Sequence, residues 1–229
     1  MFVWSAITLG LVAQLAQAAS VPCDPKVLDE ASTHIIFLSS NIDFPITSEG
    51  LTESCPKSFS ALQTANDYVD NCVGGLAKGM LKLVFEGASK EINSKCVEGA
   101  KEREEYLNMA ECIILKAGKP IQACNAKVNA IFEATLAKPK KDRIPLSCCY
   151  MNELYECVQN ASSICGKDAE VLTKNIIDNY AGELTDSVCA AWRPGSNKCN
   201  ALPKIKPVSK PTYQTFVPSL VEVLSSLSN

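Results

Sequence analysis

Histidine is nearly absent from this sequence, because His34 is the only one among 229 residues. Serine and cysteine nucleophiles normally need a histidine as base, and hydrolytic zinc sites normally use at least two histidine ligands. Paired carboxylates remain available, but no spacing among the Asp and Glu residues distinguishes a catalytic pair. We therefore predict no catalytic residue and no enzymatic activity, with His34 as an ordinary helix residue.

The C-x2-C spacing of structural zinc sites is also missing, although the chain has twelve cysteines. An even number of cysteines in a secreted chain is typical of disulfides rather than of metal ligands. We predict six disulfides, no metal site and no cofactor, and we leave the connectivity open. The cysteines are Cys23, Cys55, Cys72, Cys96, Cys112, Cys124, Cys148, Cys149, Cys157, Cys165, Cys189 and Cys199.

Long apolar runs are confined to the first residues, which carry no charged side chain before Asp24. The small residues around Ala16-Gln17-Ala18 predict cleavage by signal peptidase, so residues 1–18 are interpreted as a secretory signal peptide. No later stretch has the roughly 20 apolar residues of a membrane span. The formal net charge of −3 provides no strongly basic face for nucleic acid. We therefore predict a secreted, extracellular protein without a transmembrane segment.

Strand patterns and Asn-Gly or Asp-Gly turns are absent as well, which disfavours a β-sheet. Instead, apolar residues recur at the spacing of a helix face, most regularly at Leu172, Ile176, Tyr180, Leu184 and Val188. These patterns predict an all-α fold, a disulfide-stapled bundle of about six or seven helices.

The helical domain is expected to cover residues 19–192, with loops near 41–56, 117–121 and 138–147. The charged run KEREE at 101–105 is expected on a solvated helix face. A duplication is an open alternative, because two groups of three cysteines share one spacing at an offset of 93. Leu83, Val84, Ala88 and Ser94 also align with similar residues at that offset, but the spacing alone does not decide between one domain and two divergent repeats.

Residues 193–229 have a different composition, with five prolines from Pro194 to Pro218 and lysines among them. This composition predicts a largely extended and unpacked tail, with Cys199 holding its start to the helical domain.

The segment CCYMNELYECVQNASSIC, residues 148–165, resembles the catalytic helix of secreted phospholipases in its doubled cysteine. In those enzymes a His-Asp pair follows, whereas residues 150–154 here are Tyr, Met, Asn, Glu and Leu. Cys148 and Cys149 are therefore expected to join one helix to two different neighbours. The sequon Asn160-Ala161-Ser162 predicts an exposed asparagine that carries a glycan.

Residues 151–189, MNELYECVQNASSIC and GKDAEVLTKNIIDNYAGELTDSVC, resemble the C-terminal part of the arthropod 27 kDa hemolymph glycoproteins. In both, a leucine precedes Cys-Val by a few residues, a second cysteine follows eight residues later, and a helical segment ends in a further cysteine. The resemblance implies a secreted, circulating glycoprotein of a family without an established activity. The tail after residue 200 departs from the family pattern.

Two functions remain open. The first is a non-enzymatic extracellular protein that binds or carries an apolar ligand or a protein partner between its helices. The alternative is a structural or assembly component of a secreted matrix, fibre or coat, in which the basic tail engages acidic polymers or other subunits. The sequence predicts neither the identity of the ligand nor the oligomeric state.

Overall fold

The computed structural model describes residues 21–39, 44–194 and 196–228, so the predicted signal peptide lies outside the described residues. Within these ranges the chain forms nine α-helices and no β-strand, which confirms the all-α prediction. The helices are α1 (Pro25–Thr33), α2 (Ser48–Cys72), α3 (Gly75–Cys96), α4 (Lys101–Cys112), α5 (Gly118–Thr135), α6 (Lys140–Ser162), α7 (Lys167–Ser187), α8 (Asn197–Asn200) and α9 (Val217–Ser225). Of the described helices, none has the length and apolar character to cross a membrane.

The first helices begin at local capping signals. The side chain of Asp24 accepts a hydrogen bond from the Lys26 N–H (2.9 Å), and Pro25 occupies the first position of α1. The Thr47 hydroxyl oxygen accepts from the Gly50 N–H (3.1 Å) at the start of α2. The apolar ladder predicted on α7 faces the core, where Ile176 and Leu184 are buried.

The twelve cysteines form six disulfides, as their number predicts. Cys148 and Cys149 bond to different partners, one near the end of α7 and one in α8, so the doubled cysteine joins α6 to two neighbours. The pairs are Cys23–Cys72, Cys55–Cys96, Cys112–Cys165, Cys124–Cys157, Cys148–Cys189 and Cys149–Cys199.

The predicted loops are wrong in part, because helices occupy much of them. Helix α2 begins at Ser48 and continues through Pro56, and α6 begins at Lys140 and continues through Pro145. A proline inside a helix removes one backbone donor, but buried apolar neighbours such as Leu146 keep the helix packed against the core. The predicted loop at 117–121 is also helical, since a π-helical turn at Ile113–Ala117 leads directly into α5.

The run at 101–105 is only partly solvated, since Arg103 is 3% exposed. Its guanidinium donates to the carbonyl oxygens of Lys95 and Ser48 (both 2.8 Å) and to the Thr52 hydroxyl (2.9 Å). Arg103 therefore joins the end of α3 to the start of α2. Periodicity does not reveal this, because the other four residues of the run are exposed.

Two stapled helical hairpins, α2–α3 and α6–α7, favour the duplication over a single unrepeated domain. Each hairpin is closed by a disulfide with a sequence separation of 41, Cys55–Cys96 in the first and Cys148–Cys189 in the second. A second disulfide joins each hairpin to a segment that precedes it in the chain. Cys72, at the end of α2, bonds to Cys23, and Cys165, just after α6, bonds to Cys112. The hairpins pack together through α3 and α7, on which the equivalent Ala88 and Ala181 are both buried.

The expectation of an unpacked tail is wrong. Residues 203–216 have no regular secondary structure, but Ile205 is buried against Ile131 and Leu146. Helix α9 then buries Val217, Leu220, Val223 and Leu224 in the main core. Seven of its nine residues are buried, so this short helix is enclosed on most sides and packs on α1, α3, α5 and α6. Residues 213–225 therefore belong to the helical core.

Candidate ligand-binding cleft

A cleft of about 480 Å³ opens between the end of α1, the start of α2, the end of α3 and α4. This volume lies within the range of small-molecule sites in proteins. Much of its wall is apolar or aromatic, formed by Ile35, Phe37, Phe44, Pro45, Leu51, Ile92, Tyr106 and Tyr180.

A disulfide and the hydrogen bonds of a buried arginine hold the walls of the cleft together. The disulfide Cys55–Cys96 is part of the lining and joins α2 to α3, with a Cα–Cα distance of 5.9 Å. The buried Arg103 joins the same two helices and also α4, from which it projects. The cleft is therefore largely preformed.

Glu91 and Lys95, one turn apart on α3, form an ion pair in the lining of the cleft. Their side chains are only 6% and 13% exposed. Glu91 also accepts a hydrogen bond from the Asn179 side-chain amide on α7 (2.6 Å). Because both carboxylate oxygens are engaged, the buried negative charge is well compensated.

The ammonium group of Lys95 lies over two aromatic rings. Its nitrogen is 4.8 Å from the ring centroid of Tyr106 and 5.4 Å from that of Phe37. Both distances are within the range of cation–π attraction. The two rings also contact each other edge-to-face, with centroids 6.4 Å apart. The cleft thus presents a cation against aromatic walls.

Two tyrosine hydroxyls fix the segments that frame the cleft. Tyr106 donates to the carbonyl oxygen of Pro45 (2.7 Å), and Tyr180 donates to that of Ile35 (2.8 Å). Burial raises the pKa of Tyr106 well above its ordinary value. Burial also raises the pKa of Tyr180, and the nearby negative charge of Glu91 raises it further. Both phenols therefore remain neutral donors at physiological pH.

Alkaline pH should destabilise the protein through these tyrosines. Burial likewise raises the pKa of Tyr155, so the fold favours the neutral form of all three phenols. The contribution of these phenols to the free energy of unfolding is fully present below about pH 10, the pKa of an unfolded tyrosine. It is lost as the pH rises above that value. Above about pH 10, each of these tyrosines should lower the free energy of unfolding by up to about 1.4 kcal/mol per pH unit.

The measurement is a pair of titrations between pH 8 and 12, the absorbance of tyrosinate at 295 nm and the free energy of unfolding in urea. The buried phenols should ionise only as the protein unfolds. Tyr106→Phe should make the loss of stability with pH less steep. Full, reversible ionisation of all six tyrosines in the folded protein would contradict this prediction.

A second, smaller cavity of about 60 Å³ lies behind the cleft. Phe37 and Tyr180 line both spaces, so these two side chains separate them. The inner lining is almost entirely apolar, with Ile121, Met151, Leu154, Val158, Ile176 and Phe216 among its members. An apolar cavity of this kind stays dry and accepts apolar groups.

The structure places the residues singled out in the sequence at different points. His34 caps the end of α1 and is exposed at the rim of the cleft. Asn160 is exposed on α6, as the sequon requires, and its glycosylation stays a prediction.

Glu91 and Lys95 were not predicted as residues of a binding site, because an i,i+4 acid–base pair is typical of an exposed helix face. Among the described residues, no cluster of three or more His, Cys, Asp or Glu is arranged to hold a metal ion.

No family model matches this chain, and no curated protein or solved structure is significantly similar to it. The resemblance to the hemolymph glycoproteins therefore stays a prediction.

Proposed function

We propose that this protein is a secreted, non-enzymatic extracellular glycoprotein that binds or carries a small apolar ligand with an anionic headgroup. Six disulfides support an oxidising compartment outside the cytosol. The observation that carries the proposed ligand class is the nearly buried Lys95 in a cleft with aromatic and aliphatic walls. A circulating role of the hemolymph type is consistent with this proposal.

Lys95 is the group that would bind the headgroup. An ammonium has three donors, and the ion pair with Glu91 uses one of them. The rings of Phe37 and Tyr106 attract the cation but are weaker acceptors than an anionic oxygen. A carboxylate in the cleft would therefore be a favourable partner for the remaining donors.

The apolar body of the ligand would lie along the walls of the cleft. Phe37 and Tyr180 stand between the cleft and the inner cavity, so a rotation of the Phe37 ring would admit the end of an aliphatic chain. Burial of each methylene group contributes about 0.8 kcal/mol to binding. We expect affinity to rise with chain length until the inner cavity is filled.

The test compares decanoate with decanol, which share an aliphatic chain and differ in the charge of the headgroup. We expect the protein to bind decanoate at least tenfold more tightly in isothermal titration calorimetry. The double variant Glu91→Gln/Lys95→Met removes both charges and should abolish this preference, because the nearly buried cation of the cleft lining is gone. Replacing both residues avoids an uncompensated carboxylate, whose burial would destabilise the fold.

Lys101→Met provides the matched control. Lys101 is 83% exposed and pairs with Glu105 on the solvent side of α4, so its loss should leave both affinities unchanged. Equal binding of decanoate and decanol to the unaltered protein would remove the role proposed for Lys95. Binding of neither compound, nor of longer homologues, would count against the carrier function itself.

A structural or assembly role in a secreted matrix, fibre or coat is the competing proposal, favoured by the exposed lysines of the C-terminal segment. Deleting residues 200–229 would not test it cleanly, because the deletion also removes the core residues of α9. Native mass spectrometry of the protein from its natural source separates the two proposals. A lipophilic molecule released from a monomer supports the carrier, whereas ligand-free large assemblies support the competing role.

A further inference from the structure

Two basic segments that are distant in sequence both lie against the α5–α6 hairpin. The first is the loop and helix start at residues 138–143, and the second is the extended segment at 204–210. The Val208 N–H donates to the Ala130 carbonyl oxygen on α5 (3.2 Å), and Ile205 packs between Ile131 and Leu146. Leu146 is six residues from Lys140 on α6, which corresponds to about 9 Å along the helix. The two segments therefore form one surface.

This surface, which we call the basic surface, carries a concentrated positive charge. Two carboxylates are present in the same region, Asp142 and Glu133, and Glu133 already accepts hydrogen bonds from the backbone N–H (2.7 Å) and hydroxyl (2.6 Å) of Thr212. Seven cations against two carboxylates contrast with a net charge of −3 for the whole chain. The cations are Lys138, Lys140, Lys141, Arg143, Lys204, Lys206 and Lys210.

The lysines of the basic surface are available for a partner. Five of them are exposed, and across the described ranges none of the seven cations takes part in a salt bridge. Arg143 has a structural role instead, since its guanidinium donates to the carbonyl oxygens of Leu136 (2.7 Å) and Lys138 (3.1 Å). The charge available for binding therefore comes from lysines.

The extended segment is held in place before any partner binds. The Cys149–Cys199 disulfide fixes its upstream end, and the Ile205 N–H donates to the Tyr150 hydroxyl (2.8 Å). Ile205 points into the protein, and side chains alternate along an extended chain, so Lys204 and Lys206 point outward. Because the backbone is already ordered, binding loses little conformational entropy there.

We propose that the basic surface binds an anionic polysaccharide, sulfated or carboxylated, outside the cell. Lysines on flexible stems suit point contacts to successive anionic groups along a polymer. A membrane is a poorer partner, because the apolar residues that join the two segments, Ile131, Leu146 and Ile205, are buried and so do not insert into a bilayer. Nucleic acid is also a poorer partner, since neither basic segment contains an aromatic residue on which bases stack. This site is independent of the cleft, because none of the seven cations is among the described residues of its lining.

Heparin is the probe for the test. The protein should bind heparin in 50 mM salt, and the affinity should fall steeply as the salt concentration rises. The triple variants Lys138→Gln/Lys140→Gln/Lys141→Gln and Lys204→Gln/Lys206→Gln/Lys210→Gln should each weaken binding roughly tenfold or more and make the salt dependence less steep. The control Lys90→Gln/Lys116→Gln/Lys119→Gln changes the net charge equally, at exposed lysines outside the basic surface, and should bind like the unaltered protein.

Four results would contradict the proposal. The first is no binding of heparin in 50 mM salt by protein whose far-UV circular dichroism shows it to be folded. The second is equal weakening by the control variant, which would assign binding to net charge alone. The third is tighter binding to phosphatidylserine vesicles or to single-stranded DNA than to heparin, with loss in the same two variants. A loss confined to one triple variant would also contradict the convergence of the two segments into one site.

Discussion

Gly87→Ala should destabilise the protein by about 3 kcal/mol, at the upper end of the range for overpacking. A Cβ atom at position 87 would lie 1.8 Å from the carbonyl oxygen and 2.9 Å from the carbonyl carbon of Asn179 on α7. Both contacts are to backbone, so no change of side-chain rotamer relieves them. Helices α3 and α7 would have to move apart along the interface that joins the two hairpins.

Gly79→Ala is the matched control on the same helix. A Cβ atom there would meet nothing within 4 Å. Alanine is favoured over glycine in a helix, so this change should stabilise the protein by about 0.5–1 kcal/mol. Urea unfolding of both variants with the disulfides intact gives the two free energies. Similar effects of the two substitutions would contradict the close approach of α3 and α7.

The Gly87→Ala substitution should also affect the cleft, because the interface between the hairpins lies next to it. Asn179 is the residue that the new Cβ atom would meet on α7, and its side-chain amide donates to Glu91. If α7 moves away, Glu91 loses this bond and the position of Lys95 changes with it. Any residual folded Gly87→Ala protein should therefore bind decanoate more weakly, whereas Gly79→Ala should bind it normally.

The all-helical fold and the number of disulfides follow from local signals in the sequence, whereas the pairing of the cysteines does not. Leu172 through Val188 form one apolar ladder, and the same ladder lies against the core in the structure. The adjacent Cys148 and Cys149 could reach only different neighbours without strain, and they do so. Such features depend on helix geometry and bond lengths, which act over a few residues.

The cleft could not be predicted in this way, because its lining combines residues far apart in the chain. Phe37, Lys95 and Tyr180 meet only after α1, α3 and α7 have packed together. The buried role of Arg103 likewise depends on acceptors at Ser48 and Lys95 that no local pattern specifies. The prediction of an unpacked tail over residues 193–229 is wrong for its last part, because the prolines and lysines that dominate this composition precede a short helix that is almost wholly buried.

Asp29→Asn should release the C-terminal segment and lower the free energy of unfolding by about 2–3 kcal/mol. The carboxylate of Asp29 is 5% exposed and accepts from the backbone N–H groups of Gln214 and Thr215 (both 2.8 Å) and from the Thr215 hydroxyl (2.8 Å). An asparagine has one acceptor oxygen, and its amide N–H groups would face another backbone donor. At least one buried donor would therefore lose its partner.

The Thr215 hydroxyl oxygen in turn accepts from the Val217 N–H (3.4 Å) at the start of α9. Loss of the Asp29 bonds thus weakens the first turn of the helix that buries Val223 and Leu224. Amide hydrogen exchange should accelerate across residues 214–224 while α7 keeps its protection. Glu30→Gln, the exposed neighbour on α1, should change neither stability nor exchange. Unchanged exchange in the Asp29 variant would mean that packing alone holds α9, and that the buried carboxylate contributes nothing to its placement.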